Sequence, residues 1–118
     1  MKQKEYILII GALGQIGREL TDELRERYGK ENVLAADIRP KEDVSFEKQP
    51  YMQLNVMDKD ALESLIAENK FTQVYHLAAM LSASGERNPQ AAWELNMNSL
   101  LSILDLSVKY KVGKVFWP

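Results

Sequence analysis

Three glycines spaced three apart, Gly11, Gly14 and Gly17, follow the apolar run Tyr6-Ile7-Leu8-Ile9-Ile10 and lead into a charged, helix-patterned stretch. A turn without Cβ atoms lets the backbone approach an anion closely, and a helix behind it offers unsatisfied N–H groups and a positive dipole end. The segment Gly11-Ala12-Leu13-Gly14-Gln15-Ile16-Gly17 therefore suits a pyrophosphate, with Gly17 letting the helix pack closely on the sheet. Its G-x-x-G-x-x-G spacing is one residue longer than the common G-x-G-x-x-G, and no Gly-Lys-Ser/Thr follows, which excludes a P-loop. Asp37 lies 20 residues after Gly17 at the end of a second apolar run. A carboxylate there accepts hydrogen bonds from adenosine ribose hydroxyls and repels a 2′-phosphate, which favours NAD over NADP. Arg39 is the dissenting residue, since a guanidinium pairs well with such a phosphate.

Other polar residues carry weaker signals. His76 closes a fourth apolar run, where a lone histidine serves either packing or catalysis and packing is the commoner use. Ala78 and Ala79, just behind it, are small enough for a cofactor to lie against the backbone. Asn55 sits at the corresponding end of the third run, as an adenine contact or a simple loop amide. Ser82 and Ser84 have no neighbouring base that would make a nucleophile, which leaves substrate contact or loop polarity. Asn96, polar on an apolar helix, serves either the sheet backbone or an active site.

Composition removes several classes of function. With 15 Lys and Arg against 17 Asp and Glu, the net charge is −2, and no basic excess exists to bind nucleic acid. No cysteine and a single histidine exclude thiolate and multi-histidine metal sites. Fractions of 46% hydrophobic and 27% charged residues describe a globular chain, and 118 residues make one domain at most. No segment reaches the ~20 apolar residues of a membrane span. Met1-Lys2-Gln3-Lys4 before the first run imitates a signal peptide, but glycines and then Arg18, Glu19, Asp22 and Glu23 break it. A soluble cytoplasmic protein is expected.

The elements that must position these residues alternate. Strands are expected at Tyr6–Ile10, Val33–Ala36, Tyr51–Leu54, Val74–Ala79 and from Val115 to Trp117. Ile16, Leu20, Leu24 and Tyr28 mark a helix that Gly29 ends, and Leu62, Leu65 and Ile66 mark another behind an Asp58 cap. Asn88-Pro89 opens a third helix reaching about Tyr110, and residues 39–50 read as loop. The third helix has two apolar stripes, one of Trp93, Met97, Leu100 and Leu104 and another of Leu95, Ile103 and Leu106. A helix lying on a sheet needs one stripe, so the second implies another part of the chain or a second subunit, or else merely extra leucines. Strand–helix alternation argues for an open α/β parallel sheet.

Taken together, the glycine segment, Asp37-Ile38-Arg39 and His76-Leu77-Ala78-Ala79 resemble the extended short-chain dehydrogenase/reductase family, in the NAD-dependent epimerase/dehydratase superfamily. Tyr75 to Glu86, with Asn88-Pro89, Trp93, Leu95-Asn96-Met97-Asn98-Ser99 and Phe116-Trp117-Pro118, is similar to the short-chain-type L-threonine 3-dehydrogenases. The resemblance implies a Rossmann-like doubly wound sheet, truncated after about five strands, with residues 1–118 as the N-terminal portion of an NAD-binding domain. It implies that Gly11, Gly14, Gln15 and Ile16 cradle the pyrophosphate, beside Gly17, and that Asp37, Ile38 and Arg39 meet the adenosine ribose. Asn55 and Val56 would touch adenine, Leu77, Ala78 and Ala79 would line the cofactor, Asn96 would support the active site, and Ser82, with Ser84, would approach substrate. Ile10 departs from the threonine usual before the first glycine, and Asn55 from a common aspartate.

The implied reaction is oxidation of L-threonine to 2-amino-3-oxobutanoate with hydride transfer to NAD. The family's catalytic serine, tyrosine and lysine lie beyond Pro118, so no catalytic residue is assigned to this chain and it is expected to be inactive alone. Tyr110 and Lys114 have the right spacing, but Gly113 marks a helix end between them. Expected partners are a small-molecule substrate, an amino acid or alternatively a nucleotide sugar, and a second copy in a homodimer. Two other readings remain open, a sugar-nucleotide epimerase or dehydratase and a non-catalytic NAD-binding module.

Overall fold

A β-branched run ending at a glycine turn is best used where both faces of a strand are covered. In the computed structural model, which describes residues 4–78 and 88–118, that run forms β1 (Ile7–Ile10), with no side chain more than 1% exposed. The other strands are β2 (Val33–Asp37), β3 (Tyr51–Gln53), β4 (Gln73–His76) and β5 (Lys114–Phe116). All pair in parallel in the order β3-β2-β1-β4-β5. Ile10 is opposite Ala36 on one side and His76 on the other. The chain therefore builds outward from β1 to β3, then returns to the far side of β1. This reversal opens a crevice at the carboxyl ends of β1 and β4, where such sheets bind ligands.

Among the described residues, three helices cover the two faces. Helix α1 (Gln15–Tyr28) places Leu24 on Ile7, Ile9, Val33, Ala35 and Tyr51. Helices α2 (Lys59–Glu68) and α3 (Pro89–Lys109) bring Leu62, Leu65, Ile66, Ile103 and Leu106 onto Leu8, Ile10 and Val74. Each fully buried Leu or Ile contributes roughly 1.5–3 kcal/mol. The caps follow the sequence pattern. Asp58 and Asn88 accept from the Ala61 and Ala91 N–H groups, both at 3.1 Å, and Pro89 opens α3. Gly29 closes α1 at φ +98°, with its N–H donating to the Arg25 carbonyl.

Several sequence expectations shift. Strand β4 ends at His76, short of the expected Ala79, although the Leu77 N–H still donates to the Ile10 carbonyl at 2.8 Å. Residues 39–50 contain two short 3₁₀ turns, Lys41–Asp43 and Phe46–Lys48. The Arg25 guanidinium holds this connection by donating to the Val33, Lys48 and Pro50 carbonyls. Helix α3 stops at Lys109, and the left-handed residue behind it is Lys111, at φ +61°, not Gly113. Gly113 instead permits close approach, since a Cβ there would stand 3.1 Å from the Thr72 carbonyl oxygen. The outward face of α3 carries Trp93, Leu101, Leu104 and Val108, while Met97 and Leu100 are half-buried. The architecture is a five-stranded, Rossmann-like α/β sheet.

Candidate functional site

The glycine turn is built where side chains do not fit. Gly11 has φ +86°, and a Cβ on it would lie 2.7 Å from the Ala78 nitrogen and 2.8 Å from the Leu77 carbonyl carbon. A Cβ on Gly17 would strike the Gly11 carbonyl oxygen and lie 2.8 Å from Ala12 Cα. Strand β2 anchors the turn, because the Gly11 and Ala12 N–H groups both donate to the Ala36 carbonyl, at 2.9 and 3.1 Å. Gly14 is the N-cap of α1 with no side-chain cap, and the first turn carries no acidic residue. Its N–H groups are thus left for an anion, which is the arrangement a dinucleotide pyrophosphate requires.

Asp37 is committed on several sides. Its Oδ2 accepts the Leu13 N–H at 2.8 Å and its Oδ1 accepts the Ile38 N–H at 2.7 Å. The carboxylate therefore holds the glycine turn to the end of β2. Strand β3 supports the following turn, with the Tyr51 hydroxyl donating to the Arg39 carbonyl at 2.7 Å and the Gln53 amide to the Ile38 carbonyl at 3.0 Å. Burial, with the Asp37 charge second, pushes the Tyr51 pKa up to about 12, so this hydroxyl keeps its proton. Asn55 turns its Oδ1 onto the Met57 N–H at 3.0 Å and shapes the turn after β3.

A cleft of about 510 Å³ gathers these parts at the carboxyl edge of the sheet. Gly11, Gly14, Asp37, Ile38, Arg39, Asn55, Val56, Leu77 and Ala78 line it together. Gln15 and Ile16 stand exposed on the first turn of α1, and Gly17 is buried beneath that turn. Asn96 lies on α3 outside the lining. Ala79, Ser82 and Ser84 fall outside the described residues.

Sequence reasoning missed Leu13, Arg18, Leu54, Met57 and Leu95, which also line the cleft. Leu13 and Arg18 were findable, because they sit within and just behind the glycine motif. Arg18 Nε donates to the Leu13 carbonyl at 2.8 Å. Leu95 reaches the cleft from α3, which no local pattern announces. A larger groove of about 940 Å³, lined by Tyr6, Lys30, Phe46 and Pro50 among others, lies toward the opposite ends of the strands and contains no glycine turn.

His76 is 1% exposed, with its Nε2 2.9 Å from the Ser99 hydroxyl, which in turn donates to the Asn96 carbonyl at 3.1 Å. Burial lowers its pKa to about 4, so the ring is neutral. Tyr110 and Lys114 do not act as a pair, since the Tyr110 hydroxyl donates to Glu63 at 2.8 Å and Lys114 starts β5. Among the described residues, no helix is long and apolar enough to cross a membrane.

The decisive comparison is with protein families, in which residues 7–117 match the model of the NAD dependent epimerase/dehydratase family. The chain belongs to this family. The family is NAD-dependent, and the side-chain-free glycine turn and uncapped α1 fit that cofactor. Among curated relatives, an uncharacterized epimerase/dehydratase from Staphylococcus haemolyticus is 44% identical over 109 residues, covering 92% of this chain and 34% of that protein. A GalE-like L-threonine dehydrogenase from Cupriavidus necator, solved in its holo form, superposes with a TM-score of 0.87 at 46% identity. The match covers 96% of this epimerase/dehydratase-family chain and 36% of the other. UDP-glucose 4-epimerase from Thermotoga maritima superposes with a TM-score of 0.77 at 27% identity, covering 93% and 36%. The chain thus spans about a third of the length of the relatives it matches.

Proposed function

We propose that this chain is the NAD-binding portion of an oxidoreductase that converts L-threonine to 2-amino-3-oxobutanoate. One observation carries the substrate: the similarity to L-threonine dehydrogenases, at 46% identity for the Cupriavidus necator enzyme, exceeds the 27% to UDP-glucose 4-epimerase. NAD held by this chain would supply the hydride acceptor for oxidation of the carbon bearing the threonine hydroxyl. The glycine turn holds the pyrophosphate. Asp37, Ile38 and Arg39 hold the adenosine ribose, with Asp37 favouring NAD over NADP, and Asn55 and Val56 hold the adenine. Leu77, Ala78 and Ala79 line the coenzyme, Asn96 supports the active site, and Ser82 and Ser84 contact the substrate.

No acid–base pair is assigned to residues 1–118, so turnover belongs to the full-length parent, a soluble cytoplasmic homodimer. The test is NADH formation by full-length protein supplied with NAD and L-threonine. Threonine-dependent reduction is the expected result. Turnover of a nucleotide sugar without threonine oxidation would support the epimerase reading. Coenzyme binding without turnover of either substrate would support a binding module.

A further inference from the structure

The main chain that carries Asp37 is held to an unusual degree by the neighbouring strand. Three consecutive carbonyls, those of Asp37, Ile38 and Arg39, accept hydrogen bonds from the Leu54 N–H, the Gln53 amide and the Tyr51 hydroxyl, at 2.7, 3.0 and 2.7 Å. Tyr51 and Gln53 are two residues apart on β3 and so point to the same face of the sheet. Tyr51 is buried against α1, while Gln53 is exposed. Neither residue lines the cleft, so neither acts by touching a coenzyme.

Both Asp37 carboxylate oxygens are already in use, on the Leu13 and Ile38 N–H groups. A coenzyme 2′-phosphate beside this carboxylate would need it to leave by one of two routes. Rotation of the side chain abandons two N–H groups, each costly to leave unpaired. Displacement of the turn breaks the bonds to Tyr51 and Gln53 and frees Arg39 to meet the phosphate. The second route is closed only while β3 keeps its hold.

We propose that Tyr51 and Gln53 are positioning residues for coenzyme selection, holding the Ile38–Arg39 turn so that the Asp37 carboxylate stays where a 2′-phosphate would sit. This rests on Asp37 being the ribose partner. Burial keeps the Tyr51 hydroxyl protonated and donating at any ordinary pH.

The experiment measures calorimetric dissociation constants for NAD and NADP with full-length wild-type protein, Tyr51→Phe, Gln53→Leu and the double variant, with melting temperatures recorded alongside. The Kd ratio of NADP to NAD should fall about three- to tenfold in each single variant, the reach of one neutral hydrogen bond, and further in the double. A merely structural role lowers the melting temperature, or weakens both coenzymes equally, with the ratio unchanged; that outcome overturns the proposal. Gln53→Leu removes an exposed amide, so it carries the test alone if Tyr51→Phe fails to fold. Equal wild-type affinity for the two coenzymes would overturn the Asp37 reading and this proposal together. A wild-type preference retained in the variants would overturn this proposal alone.

Discussion

A histidine shut in at the carboxyl end of β4 is folded only in its neutral form. His76 is 1% exposed, its Nε2 meets Ser99, and its Nδ1 has no hydrogen-bond partner among the described residues. Its pKa falls from 6.5 to about 4, with burial as the cause. Across that window the unfolded chain binds a proton that the folded chain refuses. The contribution is therefore fully present above pH 6.5 and is lost as the pH falls toward 4. The loss should approach about 3 kcal/mol for a shift of this size. Denaturant titrations at stepped pH on wild type and His76→Gln would isolate it, because glutamine can still donate to Ser99 but does not titrate. A stability gap between the two proteins that is constant from pH 7 to about 4 would refute this account. The sequence favoured packing for this residue, but its Ser99 partner is 23 positions away and no spacing rule reveals it. Asp37 shows the same division. Its distance from Gly17 marked it as a candidate ribose partner, whereas its bonds to Leu13 and Ile38 became visible only once β1 and β2 were paired.

The elements were legible wherever periodicity or a cap marked them. Asn88-Pro89 opened α3, and the alternating strands and helices announced a parallel sheet. The connection from Arg39 to Pro50 was not legible, because its order comes from the Arg25 guanidinium and the Tyr51 hydroxyl reaching distant carbonyls. The end of α3 came where expected, at Lys109 with Tyr110 as its cap, but the residue that turns the chain there was misread for a related reason. Gly113 is the obvious terminator, yet Lys111 takes the left-handed conformation, at φ +61°, while the Val112 N–H returns to the Ser107 carbonyl at 2.9 Å. A side chain in that region is strained by roughly 1 kcal/mol, which glycine avoids. Lys111→Gly should therefore stabilise the protein by about 0.5–1 kcal/mol, while Lys111→Ala keeps the strain and gains nothing. Thermal melts of the two variants decide this, and equal melting temperatures would show that the helix end is unstrained.

At the scale of the molecule, one surface is unexplained by the sheet that α3 covers. Ile103 and Leu106 face the core, yet Trp93, Leu101, Leu104 and Val108 point outward with exposures of 60%, 49%, 40% and 82%. They span 16 residues, or roughly 22 Å of helix, as one apolar stripe. A second copy of the same helix, packed across a twofold axis, would bury both stripes and satisfy each with its own complement. This is the surface on which the proposed homodimer depends. Leu104→Glu places a carboxylate inside that contact, where it costs several kcal/mol to desolvate. Light scattering on full-length protein should give twice the chain mass for wild type and a single chain mass for the variant. NAD affinity should hold in the variant, because Leu104 is absent from the cleft, which α3 lines through Leu95. A wild-type protein that remains monomeric at high concentration would remove the second subunit and leave the stripe to another part of the same chain.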